Sequence, residues 1–366
     1  MSYLNHAGTS WPKPECVQAA VAASLRSCPT EWGRDFGRAH GRICEAFGVA
    51  VPERLLLTPG CTSALALGIA DHPWRPGDRL LCSSLEHHAL SRPATLLRER
   101  GVEVGRVPRA SDGPFDLDVL EQELARGGVR LVAVTAACNV TGELLPVAEI
   151  LSRAHAHGAL CLVDGAQTCG WLPVHLANLN VDLFAFAGHK GLLAPWGIGG
   201  LYVAPEVAMT SPAASCALPA PGATPSCATM PGYCDGGSVD RAALAGLVAA
   251  LDWLEEPEQA EGLERARREV ERLTGALEER PGIRLHGVRD PEARLPTIAF
   301  THAERPTREL VDALARHGIV VGSGLQCAPL AHEALGTAPG GVVRLSAGRT
   351  TVEDELERAL EVIGEL

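Results

Sequence analysis

Between residues 54 and 203 the chain repeats one pattern: a short apolar run, a turn, then a helix-like stretch. The runs are Arg54 to Thr58, Asp78 to Ser83, Val129 to Thr135, Ala159 to Val163, Leu183 to Ala187 and Gly200 to Val203. They are apolar throughout rather than alternating, as strands buried on both faces must be. Such strands alternating with helices make an α/β fold, a mostly parallel sheet covered on both sides. At 366 residues the chain is too long for one ordinary core, so a second domain is expected. Ser211 to Gly232, rich in Pro, Ala, Ser and Gly, reads as a loop and ends the pattern. Beyond it, helices are expected from about Ala242 to Leu254, Gln259 to Glu279, Thr307 to His317 and from Thr351. Strands are expected at Thr297 to Phe300, Ile319 to Val321 and Val342 to Ser346, which together make a smaller α+β domain.

Charge and composition exclude several function classes. The formal net charge is -12 and no Lys/Arg-rich run occurs, which makes a nucleic-acid or anionic-membrane partner unexpected. No stretch of about 18 apolar residues is present, so no membrane span is expected. Met-Ser-Tyr-Leu-Asn-His at the start has no basic segment followed by an apolar one, so the expected location is the cytoplasm, with the 12 cysteines reduced. Cys216, Cys227 and Cys234 share one loop-like stretch, but their spacing matches no zinc motif and no histidine lies among them, so no metal is expected. No GxGxxG follows the first strand, which argues against a dinucleotide-binding dehydrogenase.

The densest chemical signal lies at the ends of the central strands, where open α/β sheets bind ligands. One strand ends in Asp164-Gly165-Ala166-Gln167 and the next in Gly188-His189-Lys190. Taken singly, the aspartate reads equally as a helix cap and the lysine as a surface residue. Together, a buried carboxylate and a lysine at adjacent strand ends suit pyridoxal 5'-phosphate (PLP). The carboxylate keeps the pyridine nitrogen protonated; the lysine holds the aldehyde as an imine and then carries protons. Thr58-Pro59-Gly60-Cys61-Thr62-Ser63 opens a helix after a strand, so its amides and Thr62 can cradle an anion. His87, in Leu85-Glu86-His87-His88, can stack on a flat ring, or it is simply a buried, hydrogen-bonded histidine. Asn139 can bond a cofactor phenolate or a substrate carboxylate, or simply make the turn in Asn-Val-Thr-Gly.

The series GCTS, EHHA, CNVTG, VDGAQ and AGHK, in this order and spacing, resembles the class V aminotransferase superfamily, in particular its cysteine desulfurase and selenocysteine lyase branch. Tyr3 to Ser10 and the run from Gly322 to Arg349 fit the same group. The resemblance implies PLP fold type I, with a large PLP-binding domain over residues 15–250 and a small domain of 1–14 with 251–366. It implies that Lys190 binds the cofactor aldehyde, Asp164 pairs with the pyridinium nitrogen, Gln167 bonds the phenolate and His87 stacks on the ring. The phosphate would be held by the Cys61 amide, Thr62, His189 and, from a neighbouring subunit, Ser238, so a homodimer is implied. Arg344, with Ala7 and Asn139 beside it, would take the substrate carboxylate; an arginine suits that task because its fork is bidentate.

Cys327 aligns with a mobile-loop cysteine that accepts sulfur as a persulfide, which implies a cysteine or cysteine-derivative substrate, C–S or C–Se cleavage, and a sulfur-acceptor protein. The alternative is another class V activity, transamination or epimerisation of a different amino acid, which needs no such thiol. A non-catalytic paralogue is a third reading, opposed by the retention of Lys190 and Asp164. The chain departs from the family pattern at Ala187 (a serine in the family), Gly322 (an arginine), Gln326 (a histidine) and the rewritten stretch Ser211 to Gly232.

Overall fold

A computed structural model describes residues 1–208 and 239–365. Its strands are β1 (Ser2–Leu4), β2 (Leu55–Thr58), β3 (Arg79–Ser83), β4 (Glu103–Val107), β5 (Val129–Thr135), β6 (Leu160–Asp164), β7 (Leu183–Ala187), β8 (Gly199–Val203), β9 (Ile283–His286), β10 (Thr297–His302), β11 (Ile319–Gly324) and β12 (Val342–Ser346). Its helices are α1 (Glu15–Ser24), α2 (Trp32–Phe47), α3 (Cys61–Ala70), α4 (His88–Leu96), α5 (Leu117–Ala125), α6 (Val147–Ala156), α7 (Leu176–Leu179), α8 (Arg241–Leu254), α9 (Gly262–Glu278), α10 (Thr307–Arg316), α11 (Pro329–Leu335) and α12 (Glu353–Gly364). The stretch Ser211 to Gly232, with Cys216, Cys227, Cys234 and Ser238, lies outside the described residues.

Seven strands form the large sheet, in the order β2-β8-β7-β6-β5-β3-β4. β8 is antiparallel to both of its neighbours, and the remaining pairings are parallel. The apolar runs explain its burial. Leu131 and Ala133 of β5 face one hydrophobic cluster, while Val132 and Val134 face the other. Leu162 and Val163 of β6 divide the same way, the two-residue side-chain period at work on a sheet covered on both faces. α3 and α4 cover one face through Ala64, Leu65 and Leu90; α2, α6 and α8 cover the other through Ile43, Ile150 and Leu247.

The second sheet has the order β1-β11-β12-β10-β9. Ile298, Phe300, Val343 and Leu345 face a core of their own under α9 and α12, whereas Ala299 and Val342 join the large core. The second sheet is thus seated against the first at the site. β1, β4 and β9 have no counterpart among the expected strands; β4 lies at the edge of the large sheet, where Glu103 and Arg106 are exposed and break the apolar run.

Close backbone approaches shape the carboxyl end of the large sheet. A Cβ on Gly199 would stand 2.4 Å from the Phe186 carbonyl and 2.8 Å from Gly60 Cα, so β8 passes directly beneath the turn that starts α3. Gly199→Ala should therefore displace that turn and lower stability by about 1–3 kcal/mol, the usual penalty of overpacking. The urea midpoint of the purified protein measures it, and an unchanged midpoint would contradict the contact.

Candidate active site

Every sequence-chosen residue within the described chain comes to one place. Asp164 is the last residue of β6 and Lys190 follows β7, its neighbour in the sheet. His87 caps α4 after β3, Asn139 follows β5, and Cys61 and Thr62 open α3 after β2. Gln326, Cys327 and Arg344 arrive from the second sheet, and Ala7 from the N-terminal segment. They line one cavity of about 510 Å³. Open α/β sheets place ligands at just this end of their strands.

Asp164 is buried, and its Oδ1 accepts hydrogen bonds from the Ala166 amide (2.9 Å) and the Cys61 thiol (3.2 Å). Burial beside that carboxylate pushes the Cys61 thiol well above its ordinary range, so it stays a protonated donor. Among the described residues the Lys190 amine enters no hydrogen bond or ion pair. Burial lowers its pKa, against the opposing pull of Asp164, and so favours the neutral, nucleophilic amine.

His87 accepts the Ala89 amide on Nδ1 at 3.0 Å. Burial, with Lys190 nearby, lowers its pKa to about 4. The ring is therefore neutral near pH 7 and carries its proton on Nε2. His189 is lowered to about 4 for the same reason, burial before the Lys190 charge. Its Nδ1 lies 3.1 Å from Thr9 Oγ1, and its ring is 6.4 Å from that of Trp196. Gly60, the residue before α3, offers no side-chain cap, which leaves the first amides of that helix free for an anion. Thr62 is exposed beside them.

Arg344 is a buried cation without a carboxylate partner among the described residues. It is 3% exposed, and burial lowers its pKa to about 10, so it remains a cation. Its Nη1 donates to the Asn139 carbonyl (2.6 Å) and its Nη2 to Asn5 Oδ1 (2.8 Å); Nε has no partner, and among the described residues no carboxylate pairs with it. Gly322, opposite Arg344 across β11 and β12, makes the room: a Cβ there would stand 3.0 Å from Nε and from Nη2. Gln167 donates to the Ala7 carbonyl at 3.1 Å, and the Ala7 amide donates to Ser346 Oγ at 2.9 Å. Asn139 lies in the Asn-Val-Thr-Gly turn, as one sequence reading expects, and its Nδ2 also donates to the Gln326 carbonyl at 2.9 Å.

The donors and acceptors match PLP: free helix amides for a phosphate, a buried carboxylate for a pyridinium nitrogen, a neutral imidazole for the ring and an unpartnered amine for the aldehyde. The class-V aminotransferase family model matches residues 11–359. The chain belongs to this family. It falls in the cysteine desulfurase-like branch and is a PLP-dependent enzyme. A cysteine desulfurase of Pectobacterium carotovorum is 32% identical over 98% of this chain and 91% of its own. A probable cysteine desulfurase of Vibrio cholerae is 28% identical over 99% and 92%. Among solved structures, the apo cysteine desulfurase of Thermococcus onnurineus superposes with a TM-score of 0.88 at 25% identity, covering 100% of this chain and 94% of its own. An Escherichia coli cysteine desulfurase superposes at 0.86 with 26% identity, over 99% and 94%.

Several neighbours went unassigned by sequence reasoning. Asn5 holds the arginine, but only the pairing of distant segments reveals it. Lys13 donates to Ser10 Oγ (2.6 Å) and to the His189 carbonyl (2.9 Å) beside Lys190. A signal was present here, since Lys13 and Lys190 are the only two lysines in the chain. His155, Cys161 and Asp182 form a compact group at the opposite end of the large sheet. There Asp182 Oδ2 is already shared at 2.7 Å by the His155 ring and the Cys161 amide. No helix among the described residues is long and apolar enough to cross a membrane.

Glu86, immediately before His87, is fully buried, bonded to the Ser83 hydroxyl and to the Thr135 amide at 3.0 Å. Burial raises its pKa to about 8 from 4.5. The folded state therefore holds a proton there that the unfolded state releases, and this contribution to stability falls as pH rises from about 4.5 to 8. Glu86→Gln should flatten that fall. Urea midpoints of variant and parent at pH 5 and pH 8 check it, and parallel pH slopes would contradict the burial argument.

Proposed function

We propose that this protein removes sulfur from cysteine or a cysteine derivative and parks it on Cys327. One observation carries the reading: an exposed thiol lines the same cavity as a buried guanidinium and a lysine amine, neither of which has an anionic partner among the described residues. Arg344 supplies the charge for an amino-acid carboxylate, and Gly322 leaves space beside its Nε and Nη2. PLP, when bound, supplies the electron sink that labilises bonds at the substrate α-carbon. Lys190 and Asp164 would hold its aldehyde and its ring nitrogen; His87 and Gln167 would hold the ring and its oxygen; the amides of α3 with Thr62 and His189 would hold its phosphate.

The chain's own groups then do the following. Lys190 Nζ, with its pKa lowered, takes and returns protons near the substrate α-carbon. His87, neutral with its proton on Nε2, presents a flat face without adding a charge. The Cys327 thiolate attacks the substrate sulfur. The S–C bond breaks and its electron pair stays with carbon, which takes a proton and leaves as alanine, while Cys327 keeps the sulfur as a persulfide. The same reading makes the protein a cytoplasmic homodimer in which Ser238 reaches the other subunit's phosphate, and an acceptor protein takes the sulfur.

Two variants test the reading. Lys190→Ala should purify without the absorbance of a PLP–lysine imine and without activity, and borohydride reduction of the parent should label Lys190; a label on Lys13 would refute the assignment. Cys327→Ala should still change its spectrum on adding cysteine yet release no alanine. If instead it makes pyruvate at the parent's rate, sulfur leaves by elimination and the desulfurase reading fails.

A further inference from the structure

Asn139 touches both the arginine and the cysteine loop. Its backbone carbonyl accepts Arg344 Nη1 at 2.6 Å, and its side-chain Nδ2 donates to the Gln326 carbonyl at 2.9 Å, one residue before Cys327. The loop it holds is strained. Gln326 and Cys327 both adopt positive φ, 44° and 59°, where side-chain-bearing residues are disfavoured. Besides the Asn139 contact, Gln326 and Cys327 enter two further hydrogen bonds: the His88 amide to the Cys327 carbonyl at 2.7 Å, and Gln326 Nε2 to the Val342 carbonyl at 3.2 Å. Of the three donors, only Asn139 is tied directly to the arginine.

Among the described residues Asn139 Oδ1 and Arg344 Nε are both buried and without partners, so this corner of the cavity has unmet capacity for a polar ligand. A carboxylate is a stronger hydrogen-bond acceptor than a backbone carbonyl. One arriving at Arg344 meets Asn139 Nδ2 as a neighbouring N–H and competes with the Gln326 carbonyl for it.

We propose that Asn139 is a ligand-sensitive latch: its side-chain amide docks the Cys327 loop while the carboxylate site is empty and lets the strained loop go when an amino acid occupies Arg344. Carboxylate binding then does two things at once. It seats the substrate, and it frees the thiol's loop to close on the sulfur and afterwards to leave with it. Asn139 is a positioning residue in this scheme, acting through the loop. The latch rests on the reading of Arg344 as the carboxylate site, and the two are separable by experiment.

Hydrogen exchange of the holoenzyme, followed by mass spectrometry on peptides covering residues 86–90 and 322–329, reads the latch directly, because the His88 amide is protected by the Cys327 carbonyl only while the loop is docked. Asn139→Asp keeps the side-chain shape and the backbone carbonyl under Arg344 but removes the donor. Without any ligand, it should exchange both peptides roughly three- to tenfold faster than the parent, the factor expected for one hydrogen bond. In the parent, saturating L-alanine should speed the same peptides by a comparable factor, a comparison that needs no variant to fold. Unchanged exchange in Asn139→Asp overturns the latch, and so does slower exchange of the parent with alanine. If alanine leaves the cofactor spectrum of the parent untouched at every concentration, the carboxylate reading of Arg344 is what fails, and the Asn139→Asp comparison still decides the latch.

Discussion

A buried guanidinium whose hydrogen-bond partners are all neutral sets the terms for this site. Taking such a group out of water costs several kcal/mol, by order of magnitude, unless a counter-ion or a full set of acceptors meets it. Arg344 has an asparagine side chain from the N-terminal segment and a backbone carbonyl from the end of β5, so both domains' worth of structure is recruited to hold one charge. Among the described residues none of its partners is an anion, and the glycine on the facing strand leaves the guanidinium its room.

Around that cation the sheet delivers reactive groups in a row. The last residue of β6 and the segment after β7 are neighbours because the strands are neighbours, and no flexible linker is needed to bring carboxylate and amine together. The carboxylate is held by a main-chain amide and a thiol, leaving its second oxygen for a cofactor, while the amine is left unengaged. A helix start without a cap lies on one side and a neutral imidazole on the other. The close pass of Gly199 beneath Gly60 shows how tightly the backbone is drawn in to make this floor.

Much of this was legible in the order of the residues. The central strands could be read because burial on both faces leaves no room for polar residues, and Lys190 and Asp164 because they interrupt such runs at their ends. β4 was illegible since an edge strand with exposed Glu103 and Arg106 carries no continuous apolar signal. β1 has three residues and pairs with β11 across more than three hundred positions of sequence, so neither it nor the contact from Asn5 to Arg344 can be foreseen from local pattern. Asn139 was singled out, but its division between the arginine and the cysteine loop follows from strand ends meeting in space. Thiol help for Asp164 was equally hidden, because a cysteine at a helix start looks like filler.

The two lysines have a consequence of a different kind. Free PLP is an indiscriminate aldehyde that decorates accessible amines on most proteins, and a chain studded with lysine sequesters it unproductively. Here the chain's positive side chains are two lysines and thirty arginines, and guanidinium groups stay protonated and make poor imine partners. The one competing side-chain amine, on Lys13, is tethered to Ser10 and to the carbonyl next door to Lys190. Apart from the α-amino group, such a protein offers an aldehyde only these two amines, so the lysines that could carry a carbonyl label reduce to a pair that a single mutation tells apart.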